Sequence, residues 1–290
     1  MITNNDYFVA RSKLIKSPQY LLELEQKYTD FLLSIVMEVA EKINVDFSHN
    51  SFQLLPFWRN YPPEQRGRQP TGTAVPLLEL GEKTLSSHLL AVLAHRLLQI
   101  KFPGLPIGGD IRFSTNDAFI HWDIKLTGPN DNPHELVVPP NQVSGDGIKW
   151  ENEGVINSTW PVYYQTGAKK GEVNYYFQPK LPPFYILDGE VLPCLTFFLK
   201  AVYTVDGLGI QPLHYFELAC VPNGLLMFEN AQYAQTSGLI IAGKDDKTKA
   251  EDTMRIRIRL DPLAKLHEWR AIKILSTQHG WESKNRSLDL

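Results

Sequence analysis

Asp110 and, thirteen residues later, Asp123-Ile124-Lys125 are the residues whose types and spacing point most directly at chemistry. Cutting a phosphodiester needs a divalent cation beside the scissile phosphate, to neutralise charge and to acidify a bound water. Mg2+ takes a few carboxylate and carbonyl oxygens and keeps several waters. Two aspartates from neighbouring strands supply such oxygens, and the backbone carbonyl of Ile124 offers one more. Lys125, two residues past Asp123, projects from the same face of a strand. There its ammonium can orient the attacking water and offset transition-state charge.

An acid-x-Lys triplet alone is a weak signal, because the chain contains four: Glu25/Lys27, Asp123/Lys125, Asp245/Lys247 and Glu282/Lys284. Glu25/Lys27 reads as an exposed helix face, and Glu282/Lys284 lies near the C-terminal tail. Only Asp123/Lys125 sits on a period-two segment with an upstream acid. Ala118, Ile120, Trp122, Ile124 and Leu126 share one face there, and Phe119, His121, Asp123 and Lys125 share the other. A surface ion pair on an edge strand gives the same pattern, so the triplet leaves both readings open. Glu79 and Glu82 are candidates for an outer-shell group of the metal, or ordinary acids near a helix N-terminus.

A second constellation lies near the other end. Met254, Ile256, Ile258 and Leu260 alternate with Arg255, Arg257 and Arg259, which places the three arginines on one face of a strand. The turn before them, Gly243-Lys244-Asp245-Asp246-Lys247-Thr248-Lys249, carries donors and acceptors. Arg and Lys read guanine O6 and N7, and Asp accepts from the cytosine amine, so the set suits G·C pairs. Residues 244–259 carry a net charge of +2 against −3 for the chain. A solvated amphipathic strand with a salt-bridged hairpin is the competing reading.

These residues need elements to position them. Ser17-Pro18 reads as an N-cap with proline at the first helical position. Apolar residues from Tyr20 through Val39 then recur every three to four, predicting a helix to about Ile43. A second helix is expected over about Thr84–Lys101. Strands are expected near Ala118–Thr127, Phe184–Leu187, Leu195–Thr204, Tyr215–Val221 and Met254–Leu260. The Gly-, Pro- and Asn-rich stretch from about Asn130 to Pro183 reads as long loops or short strands. The expectation is one mixed α/β domain over residues 1–290, with helices mainly in the N-terminal third.

Composition narrows the classes. At 290 residues, 43% of them apolar and 21% charged, the chain is globular rather than disordered. No apolar run reaches the ~18 residues of a membrane helix, and the first residues lack a signal-peptide plan. Two cysteines exclude a disulfide framework and a Cys-rich zinc site, so a reducing, cytoplasmic setting is expected. No P-loop, dinucleotide fingerprint, serine elbow or H-E-x-x-H motif is present. His88 and His95 read as core or surface histidines rather than a metal pair.

From Phe52 to Leu263 the chain resembles the BglI type II restriction endonucleases of the PD-(D/E)xK superfamily, in ordered blocks. They include Pro56-Phe57-Trp58, Asn60-Tyr61-Pro62-Pro63, Gly81-Glu82-Lys83, and Gly104-Leu105-Pro106 ahead of Asp110. After Asp123-Ile124-Lys125 follow Gly128-Pro129, Pro140-Asn141-Gln142-Val143-Ser144-Gly145, Val221-Pro222-Asn223-Gly224-Leu225 and Gly243-Lys244-Asp245-Asp246. The resemblance implies a restriction-endonuclease-like core, a mixed central sheet flanked by helices. It implies a homodimer acting on double-stranded DNA with Mg2+, each subunit cutting one strand of an interrupted palindrome. Asp110 and Asp123 match the metal-binding aspartates and Lys125 the catalytic lysine. Lys244, Asp246, Arg255 and Arg257 match the readers of a GCC half-site, and Asp131 a further cytosine acceptor. The implied target is GCC and GGC around five unspecified base pairs, with 3′ overhangs. Arg66 and Arg68 are expected on backbone phosphates. Three departures stand out: Gly109 occupies the place of the motif's proline, the Asp110–Asp123 interval is short, and Arg259 replaces an acidic residue. A non-cleaving DNA-binding protein and a structure-specific repair nuclease are the alternatives.

Overall fold

The computed structural model describes residues 2–50, 77–96, 100–102, 108–152, 154–165, 172–206, 210–230, 233, 238–244 and 254–286. Arg66, Arg68 and Asp246 lie outside them, and of Lys244 only the backbone is described.

Helix α1 (Asn4–Ile15), absent from the sequence expectation, opens with a capping box in which Thr3 and Asp6 exchange hydrogen bonds. Helix α2 (Pro18–Val45) runs as expected, two residues beyond Ile43. Helix α3 (Leu77–Arg96) starts seven residues before Thr84. Gly81 inside it disfavours helix by about 1 kcal/mol relative to alanine, which hides the first turn from a propensity reading. Lys101, expected at its end, instead forms a bridge with Ser114.

The strands are β1 (Ile111–Ser114), β2 (Phe119–Thr127), β3 (Glu135–Val138), β4 (Lys149–Glu151), β5 (Gly154–Ile156), β6 (Trp160–Gln165) and β7 (Glu172–Phe177). Then come β8 (Phe184–Leu187), β9 (Glu190–Tyr203), β10 (Leu213–Val221), β11 (Ile240–Lys244), β12 (Met254–Arg259), β13 (Ala271–Thr277) and β14 (Gly280–Asn285). Short helices α4 (Gly224–Glu229) and α5 (Leu260–Leu266) follow β10 and β12. The described residues between 130 and 183 thus include the short strands β3 to β7. None of the described helices is long and apolar enough to cross a membrane.

The central sheet has the order β1-β2-β9-β10-β13-β14, with β8 on β9. Its β2–β9 pair is parallel and the other pairs are antiparallel. Helices α2 and α3 cover one face. Leu32, Ile35, Val39, Leu89 and Leu93 pack there on Ile120, Trp122 and Ile124 of β2 and Phe197 and Leu199 of β9. A second sheet of order β11-β12-β3 packs on the opposite face, where Ile256, Ile258, Leu136 and Val138 meet Phe198, Ala219 and Val221. With both faces covered, β2 is buried from Phe119 to Ile124, and its polar face is interior rather than solvated.

Glu25 corrects the sequence reading of its triplet. It is fully buried, lies 2.5 Å from the Arg270 guanidinium and accepts the Asn223 amide at 2.6 Å. Lys27, two residues on, pairs with Asp117 at the surface. Removing one member of a buried pair leaves the other charge uncompensated. Glu25→Ala is therefore expected to cost about 3–5 kcal/mol in urea unfolding, and Lys27→Ala about 0–1 kcal/mol.

Candidate active site and nucleic-acid interface

Strands β1 and β2 meet in an antiparallel ladder whose register begins with Ile111 opposite Trp122. Asp110 stands just before that rung, and its Oδ2 accepts the Ile124 amide at 2.9 Å. A side chain thus continues the ladder where the main chain of β1 has ended. A strand residue's N–H and C=O leave from the same edge, so the Ile124 carbonyl emerges beside Asp110. Asp123 and Lys125 follow on the face opposite α2 and α3, with Asp123 level with Phe198 and Lys125 level with Lys200 of β9.

Asp123 is 2% exposed. One carboxylate oxygen pairs with the Lys125 ammonium, and the other accepts a hydrogen bond from the Gln142 side-chain amide. Its carboxyl is pushed up to about 7, first by burial. The Lys125 ammonium acts against this shift, while the Asp110 and Glu82 carboxylates add to it. Glu82, on the second turn of α3, is therefore the helix acid whose charge reaches the site; the Glu79 side chain lies outside the described residues. Among the described residues no three His, Cys, Asp or Glu converge on one point. Two aspartates and one backbone carbonyl are the oxygen donors at this strand end, groups of the kind a hard divalent cation takes.

Two glycines bring Asp110 to this position. Gly108 adopts φ +111°, and a Cβ there would lie 2.0 Å from His121 Nδ1. A Cβ on Gly109 would lie 2.8 Å from the Trp122 carbonyl carbon and oxygen. A proline before the aspartate, as the motif's name has it, does not fit unless the backbone shifts. His121 is part of this floor. It is buried, bonds Tyr185 Oη through Nε2 at 2.9 Å, and burial pushes its pKa down to about 3. It is thus a neutral packing histidine.

The arginine strand β12 is the middle of the second sheet, with β11 and β3 on its flanks. Ile256 and Ile258 point into the core, and Arg255, Arg257 and Arg259 share the other face as expected. That face is not uniformly solvated. Arg259 is exposed and Arg255 half-buried, whereas Arg257 is 7% exposed with its Nε 3.6 Å from Glu135. Asp131 is exposed after β2, and its Oδ2 closes a turn by accepting the Gly128 amide at 3.0 Å.

Sequence reasoning did not single out the groups that hold this turn. Lys200 Nζ donates to the carbonyls of Asn132, Pro133 and Glu135 at 3.2, 2.7 and 2.8 Å. Burial lowers its pKa to about 8. Arg286 reaches His134, Glu217 and Asp261. Gln142 was visible only as part of a sequence block, with no sign that its amide faces Asp123.

The described elements form the mixed α/β fold of the restriction endonucleases. A sequence profile of the family described as Restriction endonuclease BglI matches residues 2–274. The type II restriction enzyme BglI of Bacillus subtilis is 35% identical over 293 residues, covering 90% of this chain and 96% of the relative. The crystal structure of the restriction endonuclease BglI bound to its DNA recognition sequence superposes with TM-score 0.77 at 33% identity, over 93% of this chain and 95% of that one. The tetrameric restriction endonuclease SfiI bound to cognate DNA shares the fold alone, with TM-score 0.55 at 14% identity over 91% of this chain and 94% of that one. The chain belongs to the BglI restriction endonuclease family.

Two outcomes follow from the geometry. Gly109→Ala forces Asp110 away from Ile124, and misplacement by about an ångström costs on the order of 100-fold in rate. Single-turnover cleavage should fall by that factor while the circular dichroism of the fold is retained. For Asp123, a folded pKa of about 7 against an ordinary 3.8 means that the folded state holds a proton which the unfolded state has lost between those values. Its contribution to stability is then full below the lower value and is lost as pH rises through the upper. In chelator, wild-type melting temperature should fall relative to Asp123→Asn between pH 4 and 7 and run parallel above. A difference independent of pH would refute the shift.

Proposed function

We propose that this member of the BglI restriction endonuclease family cuts DNA as a type II restriction endonuclease, as a homodimer of one domain per chain, spanning residues 1–290, in the bacterial cytoplasm. It hydrolyses double-stranded DNA with Mg2+ at an interrupted G·C-rich palindrome, GCCNNNNNGGC as the best reading. The observation that carries the reading is the convergence of Asp110, the Ile124 backbone, Asp123 and Lys125 at the open end of β1.

Asp110, Asp123 and the Ile124 carbonyl would hold the cation. Bound there, Mg2+ supplies charge neutralisation at the phosphate and a more acidic water. Asp110 fixes the strand edge through Ile124, so that carbonyl and carboxylate stay in one register. Lys125, at the rim, orients the attacking water and offsets charge building on the phosphate oxygens. In-line displacement of the 3′ oxygen leaves 5′-phosphate and 3′-hydroxyl ends. Arg255 and Arg257 on β12, with Lys244 and Asp246, read the half-site in the major groove. Asp131 accepts from a further cytosine through the oxygen that does not close its turn, and Arg66 and Arg68 contact backbone phosphates.

The test is digestion of a plasmid library with purified protein and Mg2+, with every cut end sequenced. Discrete cuts at one two-fold symmetric G·C-rich site are expected, and they give spacer and overhang together. Scattered cuts would turn the Lys244–Arg257 set into a phosphate-binding surface. In parallel, Asp123→Ala should lower the rate by about 1,000-fold or more, as loss of several kcal/mol of charge stabilisation requires. Specific binding in Ca2+ should survive that substitution; equal loss of binding would make Asp123 a structural residue.

A further inference from the structure

Gln142 stands between the two working parts of the molecule. It ends the 3-10 turn Pro140–Gln142, which leaves β3 directly and packs against β12. Strand β3 pairs along β12, Val137 opposite Arg257 and Val138 opposite Ile256. The turn is also held from below. Lys180 donates to the Pro140 carbonyl at 3.0 Å, Leu181 donates to the Val143 carbonyl at 3.1 Å, and Val143 packs in the second core with Ile256 and Ile258. From this seat the Gln142 amide donates to the oxygen of Asp123 that Lys125 does not occupy. The other end of the amide, Oε1, is buried and has no hydrogen-bond partner among the described residues. Among the described residues Asp123 is the group seen to hold the amide. In return, the amide and Lys125 together fix the plane of the carboxylate.

We infer that Gln142 is a positioning residue that makes the metal-binding geometry of Asp123 depend on how β12 and β3 sit on the DNA. The inference rests on the reading of Asp123 as a metal ligand. The physical chain is short. Seating of Arg255 and Arg257 in a groove fixes β12, the ladder carries that position to β3, and the turn passes it to the Gln142 amide. Groups that orient a ligating carboxylate typically change metal affinity or activity by about 10–100-fold when removed. Coupling between reading and cutting has a further consequence. At a site with one wrong base pair β12 is not seated, so the contribution of Gln142 is already missing and its removal changes little.

The experiment uses the full-length protein with Gln142→Ala and Gln142→Met, the second keeping side-chain length without the donor. Asp123→Ala is the control. Single-turnover cleavage is measured on the preferred site and on sites carrying one changed base pair, across a Mg2+ titration, with DNA affinity in Ca2+ and melting temperature recorded. On the preferred site both variants should cut about 10–100-fold more slowly and need more Mg2+ for half-maximal rate. Rates on changed sites, DNA affinity and melting temperature should stay near wild type, so that discrimination shrinks. An unchanged preferred-site rate and Mg2+ requirement, with Asp123→Ala inactive, would overturn this inference alone. Equal slowing on preferred and changed sites would overturn the coupling. Undiminished cleavage by Asp123→Ala would remove the metal-ligand reading and this inference with it.

Discussion

Around Asp123 the structure answers one constraint: a carboxylate 2% exposed, within reach of the Asp110 and Glu82 charges, is expensive to keep ionised without a counter-charge. Lys125 meets part of that need and Gln142 adds a hydrogen bond, yet the carboxyl is still pushed up to about 7. The charged form of Asp123 is therefore disfavoured where it stands, and the cation proposed above would favour it. The covering layers follow from the same constraint. Helices α2 and α3 bury the apolar side of β2, and β11-β12-β3 packs beyond the other side. Together they bury Asp123 away from bulk water, so the proposed cation would interact with it more strongly than with a surface acid.

What could be read in advance, and what could not, divides by the range of the interaction. The alternation of Ala118–Thr127, the Ser17-Pro18 start of α2 and the Met254–Arg259 strand are local patterns, and the observed elements follow them within a few residues. The expectation puts Asp110 and Asp123 on neighbouring strands; Asp123 lies on β2, whereas Asp110 stands just before β1 and reaches the β2 edge through its side chain. The errors lie where a partner is remote. Glu25 has the spacing of a solvent-facing helix residue, but Arg270, 245 positions away, sits on it. The Gln142 amide finds Asp123 across the sheet, although nothing in Pro140-Asn141-Gln142 sets that glutamine apart. Gly109 looked like a departure from a motif; only the distance to the Trp122 backbone shows why a side chain is excluded there.

The same contrast explains the basic residues. Counting Lys and Arg along the chain gives a weakly acidic protein with a basic segment at residues 244–259. It could not separate cations that face a ligand from cations that hold the scaffold. Lys200 and Arg286 belong to the second kind. The first pins the carbonyls of the Asp131 loop, and the second joins Glu217, Asp261 and His134 around it. Burying cations is justified here because each replaces hydration with fixed acceptors. The result is a pinned loop between β2 and β3.

That rigidity bears on the proposed coupling, because one stretch of chain joins the two proposed working parts. From Asp123 to Gln142 the chain leaves β2, turns at Asp131, pairs with the arginine strand as β3, and returns to the carboxylate it started from. Its ends meet on Asp123, its middle is clamped by Lys200, and its outward edge carries Glu135 beside Arg257. In the coupling proposed above, a loop closed at both ends on Asp123 and stiffened between would carry a shift of β12 to the carboxylate, because packed interiors transmit strain rather than absorb it. The order of these residues along the chain would then act as a mechanical connection as well as a route between two strands.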